Sequence, residues 1–330
     1  MIDLRMLRDD DTYRQRAIDK GASSEAIEEL LSVDAAHREA RSLTESLRAE
    51  SNSASKEIGR ANPEDRQAKI DAAGELKTRL TAAEDTLAEA ETRVRELSLT
   101  IPNPAHESVP IGGEDDYRVE SVVGGTPPQP MYDHGELGER LGVVDTKRAV
   151  RMSGSRFAYV MGDAVRVQFA LIQWTLDKLA GHGFVPVITP VLVREEMMEL
   201  AGFFPTDRNQ VYHLEQDDLF LIGTSEVGLA GIHREEQLKE DELPVRYAGY
   251  SSCFRREAGT YGKDTSGLFR VHQFDKVEMF VYTHPDRSWE ELELLRTMQE
   301  EIVGDLGLPY RVITVASGDL GPSAAKKYDL

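Results

Sequence analysis

Phe254-Arg255-Arg256-Glu257-Ala258-Gly259-Thr260-Tyr261-Gly262-Lys263-Asp264-Thr265 and, one residue on, Gly267-Leu268-Phe269-Arg270-Val271-His272-Gln273-Phe274-Asp275-Lys276-Val277-Glu278-Met279-Phe280 form the stretch on which the fold turns. Residues 247–257 and 269–282 are rich in aromatic and β-branched side chains, and the polar, glycine-containing stretch between them predicts the loop of a β-hairpin. Alternation then sorts the side chains. On the second strand Phe269, Val271, Val277, Met279 and Val281 are expected on one face, and Arg270, His272, Phe274, Lys276 and Glu278 on the other. On the first strand Arg255 and Glu257 are expected to share a face opposite Phe254.

The polar face offers guanidinium for carboxylate or phosphate, carboxylate for an amine or hydroxyl, and a ring on which a base can stack. A solvated, ion-paired outer face shows the same alternation. The wording of the segment separates the two readings. F-R-x-E-A-G-x-x-G-x-D-T-x-G-L-x-R-x-H-Q-F-x-K-V-E-M resembles the second motif of the class II aminoacyl-tRNA synthetases, in the form carried by the seryl-tRNA synthetase family.

The 330 residues, 36.9 kDa, leave room for two domains, and 30% charged with 40% hydrophobic residues describes a soluble chain. No apolar run approaches the roughly 20 residues of a membrane span. The start Met1-Ile2-Asp3-Leu4-Arg5 lacks the pattern of a secretory signal, so a cytoplasmic location is expected. Cys253 is the only cysteine, which excludes an intrachain disulfide and a cysteine-built zinc site. No metal-ligand spacing is visible among the histidines. A net charge of −20 argues against a general nucleic-acid binder and against DNA, and confines any such contact to a local basic stripe.

Upstream, residues 24–101 read as two long helices folded back on each other. Leu80, Ala83, Leu87, Ala90, Val94, Leu97 and Ile101 alternate steps of three and four, a heptad seam. Ala36, Ala40, Leu43, Leu47, Ala54 and Ile58 are its expected counterpart on the first helix, interrupted by Glu50. Between the helices Gly59 can loosen the first, Asn62 cap the second and Pro63 fill its first position, with Glu64 and Asp65 favoured at the positive end of the dipole. The arm carries 17 acidic and 11 basic residues. Arg41 and Arg48 nonetheless lie one heptad apart and Arg79 and Arg93 two, so each pair shares a helix face. Such an arm could serve dimerisation or binding. Ile101-Pro102-Asn103-Pro104 breaks the helix, and we place the domain boundary there: an arm over 1–104 and a core over 105–330.

In the core, residues 163–179 read as an amphipathic helix and 183–190 as a strand ending at Pro190. Leu219-Phe220-Leu221-Ile222-Gly223-Thr224-Ser225-Glu226-Val227 reads as an apolar strand delivering a polar triplet, with Thr224 and Glu226 on one face.

The resemblance implies an α+β fold: an antiparallel coiled-coil arm followed by an antiparallel sheet flanked by helices, dimeric through the helix and strand ending at Pro190. It implies a serine–tRNA ligase that uses ATP and Mg²⁺ to make seryl-adenylate and transfers serine to tRNA(Ser), the arm gripping the tRNA through Arg41, Arg48, Arg79 and Arg93. The T-x-E triplet Thr224, Ser225 and Glu226 then implies serine binding, as does Glu278. Arg255 would hold the serine carboxylate and the α-phosphate as the catalytic arginine. Arg255, Arg256, Glu257, the Val271 backbone and Phe274 would form the ATP site, and Lys263, Asp264 and Thr265 would meet the tRNA acceptor end. Two rival readings are an inactive tRNA-binding paralogue and a ligase that loads a carrier protein. A complete family member would continue past Leu330 into a third motif. These 330 residues alone are therefore expected to bind tRNA and to form little adenylate.

Overall fold

The structure, a computed structural model, describes residues 2–127, 129–258 and 268–330. Lys263, Asp264 and Thr265 lie outside the described residues. The chain divides into two compact units: Met1–Arg118 with Val315–Lys327, and Val119–Thr314 with Tyr328–Leu330.

The first unit opens with two short helices, α1 (Leu4–Asp9) and α2 (Asp11–Ile18), which begin at Asp3 and Asp10. Each aspartate accepts two backbone N–H groups that the helix start leaves open. The predicted hairpin follows as α3 (Ser24–Arg60) and α4 (Pro63–Thr100). The 37 residues of α3 make a rod of about 55 Å. Gly59 does not end α3, which runs on to Arg60. Asn62 occupies the cap position of α4 without a side-chain capping bond, leaving Pro63, Glu64 and Asp65 to favour the start.

The α4 seam is as expected: Ala83, Leu97 and Ile101 are buried and Leu80, Leu87, Ala90 and Val94 half-buried. The α3 seam differs. Ala36 and Leu43 are exposed, and the buried positions are Ile27, Leu30, Asp34, Thr44 and Leu47. Polar side chains are tolerated there because they are satisfied. The Thr44 hydroxyl lies 2.9 Å from the Ala40 carbonyl and 3.2 Å from that of Ala83, and Asp34 accepts from Arg8 at 2.8 Å and Arg38 at 3.1 Å. At the root, Leu7 and Ala17 pack with Ile27, Leu30, Leu97 and Ile101. The segment 315–327 is stitched to the chain after α4. Asn103 N–H donates to the Pro322 carbonyl at 2.8 Å, and Lys20 Nζ donates to Asn103, Pro322 and Ala324 carbonyls. Burial pushes the Lys20 ammonium down to about 8.

The second unit contains, in chain order, β1 (Arg118–Val123), α5 (His134–Arg140), β2 (Val144–Asp145), α6 (Thr146–Ser153), β3 (Tyr159–Val160), α7 (Asp163–Gly181), β4 (Val185–Ile188), β5 (Leu192–Val193), α8 (Glu195–Leu200), β6 (His213–Leu214), β7 (Leu219–Leu221), α9 (Glu226–Ala230), β8 (Val245–Phe254), β9 (Gln273–Tyr282), α10 (Ser288–Asp305), β10 (Tyr310–Thr314) and β11 (Tyr328–Asp329). The sheet that matters for the site is β4-β8-β9. In it β8 pairs antiparallel with β9, from Val245↔Tyr282 to Phe254↔Gln273, while β4 joins β8 in parallel. A second antiparallel sheet, β5-β7-β6, lies in the same unit.

The expected alternation holds along β9. Val277, Met279 and Val281 pack with Ala248, Leu179, Phe184 and Met298, so α7 and α10 cover that face. The strands are shorter than expected, however, ending at Phe254 and resuming at Gln273. Arg255 N–H still reaches the His272 carbonyl at 3.0 Å. Arg256 N–H instead goes to the Gln210 carbonyl at 2.9 Å and His272 N–H to that of Arg156 at 3.0 Å. With those donors taken by other segments the ladder cannot continue.

Candidate active site

Three elements build the site: the open face of the β8–β9 hairpin, the turn after β7, and the first turn of α9. Even-numbered β9 residues share a face, so Phe274, Lys276 and Glu278 form a row opposite Cys253, Ser251 and Gly249. At about 3.4 Å per residue the row is roughly 14 Å long.

The triplet after β7 does not lie on a strand. Ile222 still pairs, its N–H with Val191 and its carbonyl with Phe254 N–H, and α9 then starts at Glu226. Thr224 and Glu226 come together through a turn: the Glu226 N–H donates to Thr224 Oγ1 at 3.2 Å. Thr224 Oγ1 donates to Glu278 Oε2 at 2.8 Å and accepts from Lys276 Nζ at 2.9 Å, and the same ammonium is ion-paired with Glu278. Among the described residues no hydrogen bond or ion pair to the half-buried Glu226 carboxylate is found. Burial and the neighbouring Glu278 carboxylate push its carboxyl above the usual glutamate range, and Lys276 pulls it partly back.

Ser225 is placed differently from expectation. It is fully buried with its hydroxyl 2.7 Å from that of Ser251. It braces α9 against β8 and presents nothing to the open face. Cys253 is buried too, and burial pushes its thiol up, which removes it as a nucleophile.

At the other end of the row the Arg255 guanidinium lies 5.1 Å from the Phe274 ring centroid and its Nε donates to the Gly223 carbonyl at 3.1 Å. This cation–π contact brings a guanidinium, a group able to pair with phosphate, to a ring able to stack a base. Arg256 is exposed, with its guanidinium 5.9 Å from the Tyr212 ring. Glu257 has φ +52 and pairs with Arg270 at 2.5 Å, while its carbonyl accepts from Arg156 at 3.3 Å. Val271 is half-buried in the irregular connection before β9. Alternation predicts Arg255 and Glu257 on one strand face. Past Phe254 there is no strand to impose it.

Residues to which the sequence assigned no role hold this end in place. The Gln210 side chain accepts from Ala258 N–H at 2.9 Å and donates to the Ala258 carbonyl at 3.0 Å, and His272 Nδ1 lies 2.9 Å from the Arg255 carbonyl. Lys276 was readable as a member of the polar row. Gln210 and Arg156 carry no sequence signal, because their roles come from backbone groups brought together by the fold.

On the arm, Arg41 pairs with Glu45 at 3.1 Å, Arg48 with Glu84 at 2.9 Å across the hairpin, and Arg93 with Glu29 at 2.5 Å. Exposed Arg79 shows no such partner among the described residues. Lys56, Arg60, Arg66 and Lys77 share that condition, as do the carboxylates Glu64, Asp65 and Glu75, so unpaired cations and unpaired anions lie side by side toward the turn of the hairpin.

Residues 1–105 match the family described as the seryl-tRNA synthetase N-terminal domain, and residues 210–330 match the tRNA synthetase class II core domain (G, H, P, S and T). A serine–tRNA ligase of Mycobacterium ulcerans is 48% identical over 333 residues, covering 100% of this chain and 79% of that protein. One from Corynebacterium efficiens is 46% identical over 336 residues, with the same coverage. Among solved structures, the seryl-tRNA synthetase of Pyrococcus horikoshii complexed with ATP superposes with a TM-score of 0.89 at 36% identity, covering 100% of this chain and 80% of that one. The cytoplasmic serine–tRNA ligase of Naegleria fowleri in complex with AMP gives 0.84 at 29% identity, covering 100% and 78%. Two domain matches in the order arm then core, and this degree of identity along the whole chain, leave one conclusion: the chain belongs to the seryl-tRNA synthetase family of class II aminoacyl-tRNA synthetases.

Proposed function

We propose that the β8–β9 face activates serine with ATP and passes it to tRNA(Ser). The observation that carries this reading is the row Phe274–Lys276–Glu278 with Arg255 and the Thr224/Glu226 turn against it. Its length of roughly 14 Å suits an aminoacyl-adenylate laid along β9, adenine at the Phe274 end and amino acid at the Glu278 end. The free Glu226 carboxylate would take the serine ammonium. Glu278, already hydrogen-bonded to Thr224, would accept from the serine hydroxyl. Arg255 would draw the serine carboxylate and the α-phosphate together and neutralise charge developing on the phosphate during in-line attack. No protein nucleophile is needed. Arg256 and the Val271 backbone would contact the nucleotide, whereas Glu257, held by Arg270, would shape that end of the site.

Magnesium would supply charge neutralisation on the triphosphate, held chiefly by phosphate oxygens and water. The arm would track tRNA backbone and shape. Arg79 and the unmatched cations near the turn are the first candidates there, while Arg41, Arg48 and Arg93 would exchange their exposed carboxylate partners for phosphate at small cost. A homodimer is supported by apolar side chains exposed on α7 and β4, Val167 at 66%, Phe169 at 59% and Ile188 at 81%. No helix among the described residues is long and apolar enough to cross a membrane; the serine–tRNA ligase relatives support a cytoplasmic enzyme.

The test is amino-acid-dependent ATP–pyrophosphate exchange by the natural full-length protein across the standard amino acids. Exchange with serine, lost in Arg255→Ala, is expected. Exchange driven by another amino acid, or by none, would refute the assignment.

A further inference from the structure

The open face holds two carboxylates and one lysine, and they are not equivalent. Lys276 Nζ is ion-paired with Glu278 and donates to Thr224 Oγ1 at 2.9 Å, and the Thr224 hydroxyl donates to the same Glu278 carboxylate at 2.8 Å. Glu278 is therefore held from two sides with its charge matched inside the protein. Glu226 shows no such partner among the described residues. Among the described residues Lys276 also acts on the buried Cys253 thiol, as does Arg255, which lies 5.1 Å from the Phe274 ring centroid and is bonded to the Gly223 carbonyl. Counted over Glu226, Glu278 and Lys276, the amino-acid end of the row carries one unmatched negative charge.

We propose that Lys276 is a specificity-determining residue that sets this end of the site to accept a single ammonium group, so that Glu278 recognises a neutral hydroxyl and rejects a side-chain cation. The inference rests on the serine reading of the site and names how its charge is set. An amino acid the size of serine with an amine in place of the hydroxyl, L-2,3-diaminopropionate, would bring its second ammonium against Lys276. Like charges a few ångströms apart in a half-buried cleft cost roughly a hundredfold or more in affinity. Without Lys276, Glu278 becomes an unmatched anion that invites this second charge, and its orientation toward a hydroxyl weakens.

The experiment compares wild type, Lys276→Met, Lys276→Gln and Lys276→Arg in the natural full-length protein. ATP–pyrophosphate exchange is driven by L-serine or by L-2,3-diaminopropionate at mildly acidic pH, where both amines of the latter are protonated. In the Met and Gln variants kcat/KM for serine is expected to fall about tenfold or more, and the serine-to-diaminopropionate ratio by roughly a hundredfold. Lys276→Arg restores the ratio, and KM for ATP stays at the wild-type value throughout, which separates a charge effect from a damaged fold. An unchanged ratio in whichever of the two neutral variants retains normal KM for ATP, or a ratio that Arg does not restore, overturns the inference. If both neutral variants lose ATP affinity as well, Lys276 is a structural residue and the inference is likewise overturned. A wild-type protein without serine-dependent exchange would instead remove the serine reading itself.

Discussion

Gly249 lies on β8 opposite Glu278 and under α9, and replacing it with alanine tests how the site is held together. A Cβ there would sit 2.7 Å from Leu229 Cδ1, 3.1 Å from Cγ and 3.2 Å from Cδ2, where carbon atoms prefer about 3.5–4.0 Å. Leu229 is fully buried, and the Tyr282 hydroxyl donates to the Leu229 and Ala230 carbonyls, so the leucine has little room to retreat. Overpacking of this kind costs about 1–3 kcal/mol. The opposing effect, lower unfolded-state entropy of alanine, contributes only about 0.4–1 kcal/mol. The net expectation is a destabilisation of about 1–2 kcal/mol, a midpoint roughly 0.5–1 M lower in urea. Trp174 and Trp289, the only two tryptophans, both lie in the second unit, so their fluorescence reads this unfolding apart from the helical arm. Moving Leu229 also moves α9 and Glu226, so KM for serine should rise while KM for ATP does not. A midpoint equal to or above wild type would refute the close approach, because the entropic effect alone predicts stabilisation.

Three other outcomes follow from the same geometry. Glu278→Ala should lose about 1–3 kcal/mol of discrimination between serine and alanine, read from exchange kinetics with each amino acid. Because burial and Glu278 hold the Glu226 carboxyl above its ordinary value, protonation sets in at higher pH than for a free glutamate. KM for serine should therefore rise on the acid side before ordinary carboxylates titrate, and Glu226→Gln should flatten that limb. The matching sign in stability is that ionised Glu226 costs the fold at neutral pH, a cost relieved as pH falls through its raised value. Shortening the hairpin beyond the Thr44–Ala83 contact, which leaves the Leu7–Ile27–Leu97 root intact, should abolish tRNA charging and spare serine-dependent exchange. Loss of both reactions would show that the arm also serves the catalytic unit.

The periodic parts of this protein are legible in its sequence because period determines which side chains share a surface. Alternation along residues 273–282 placed Phe274, Lys276 and Glu278 on one face and Val277, Met279 and Val281 on the other, and three-four spacing found the α4 seam. Composition could not find the α3 seam, where Asp34 and Thr44 are buried through partners on other elements while Leu43 faces solvent.

Where regular structure stops and which charges are matched depend on contacts between segments distant in the chain. The hairpin ladder ends at Phe254 because Gln210 and Arg156, distant in sequence, take the next backbone donors. Ser225 is withdrawn from the open face by Ser251, and of two carboxylates alike in sequence Glu278 is paired and Glu226, among the described residues, is not. A hydrogen bond or an ion pair acts over about 3 Å, and no local pattern states which remote group will stand that close; the candidate residues could be named from the chain, but which of them are paired and which are buried arose from packing.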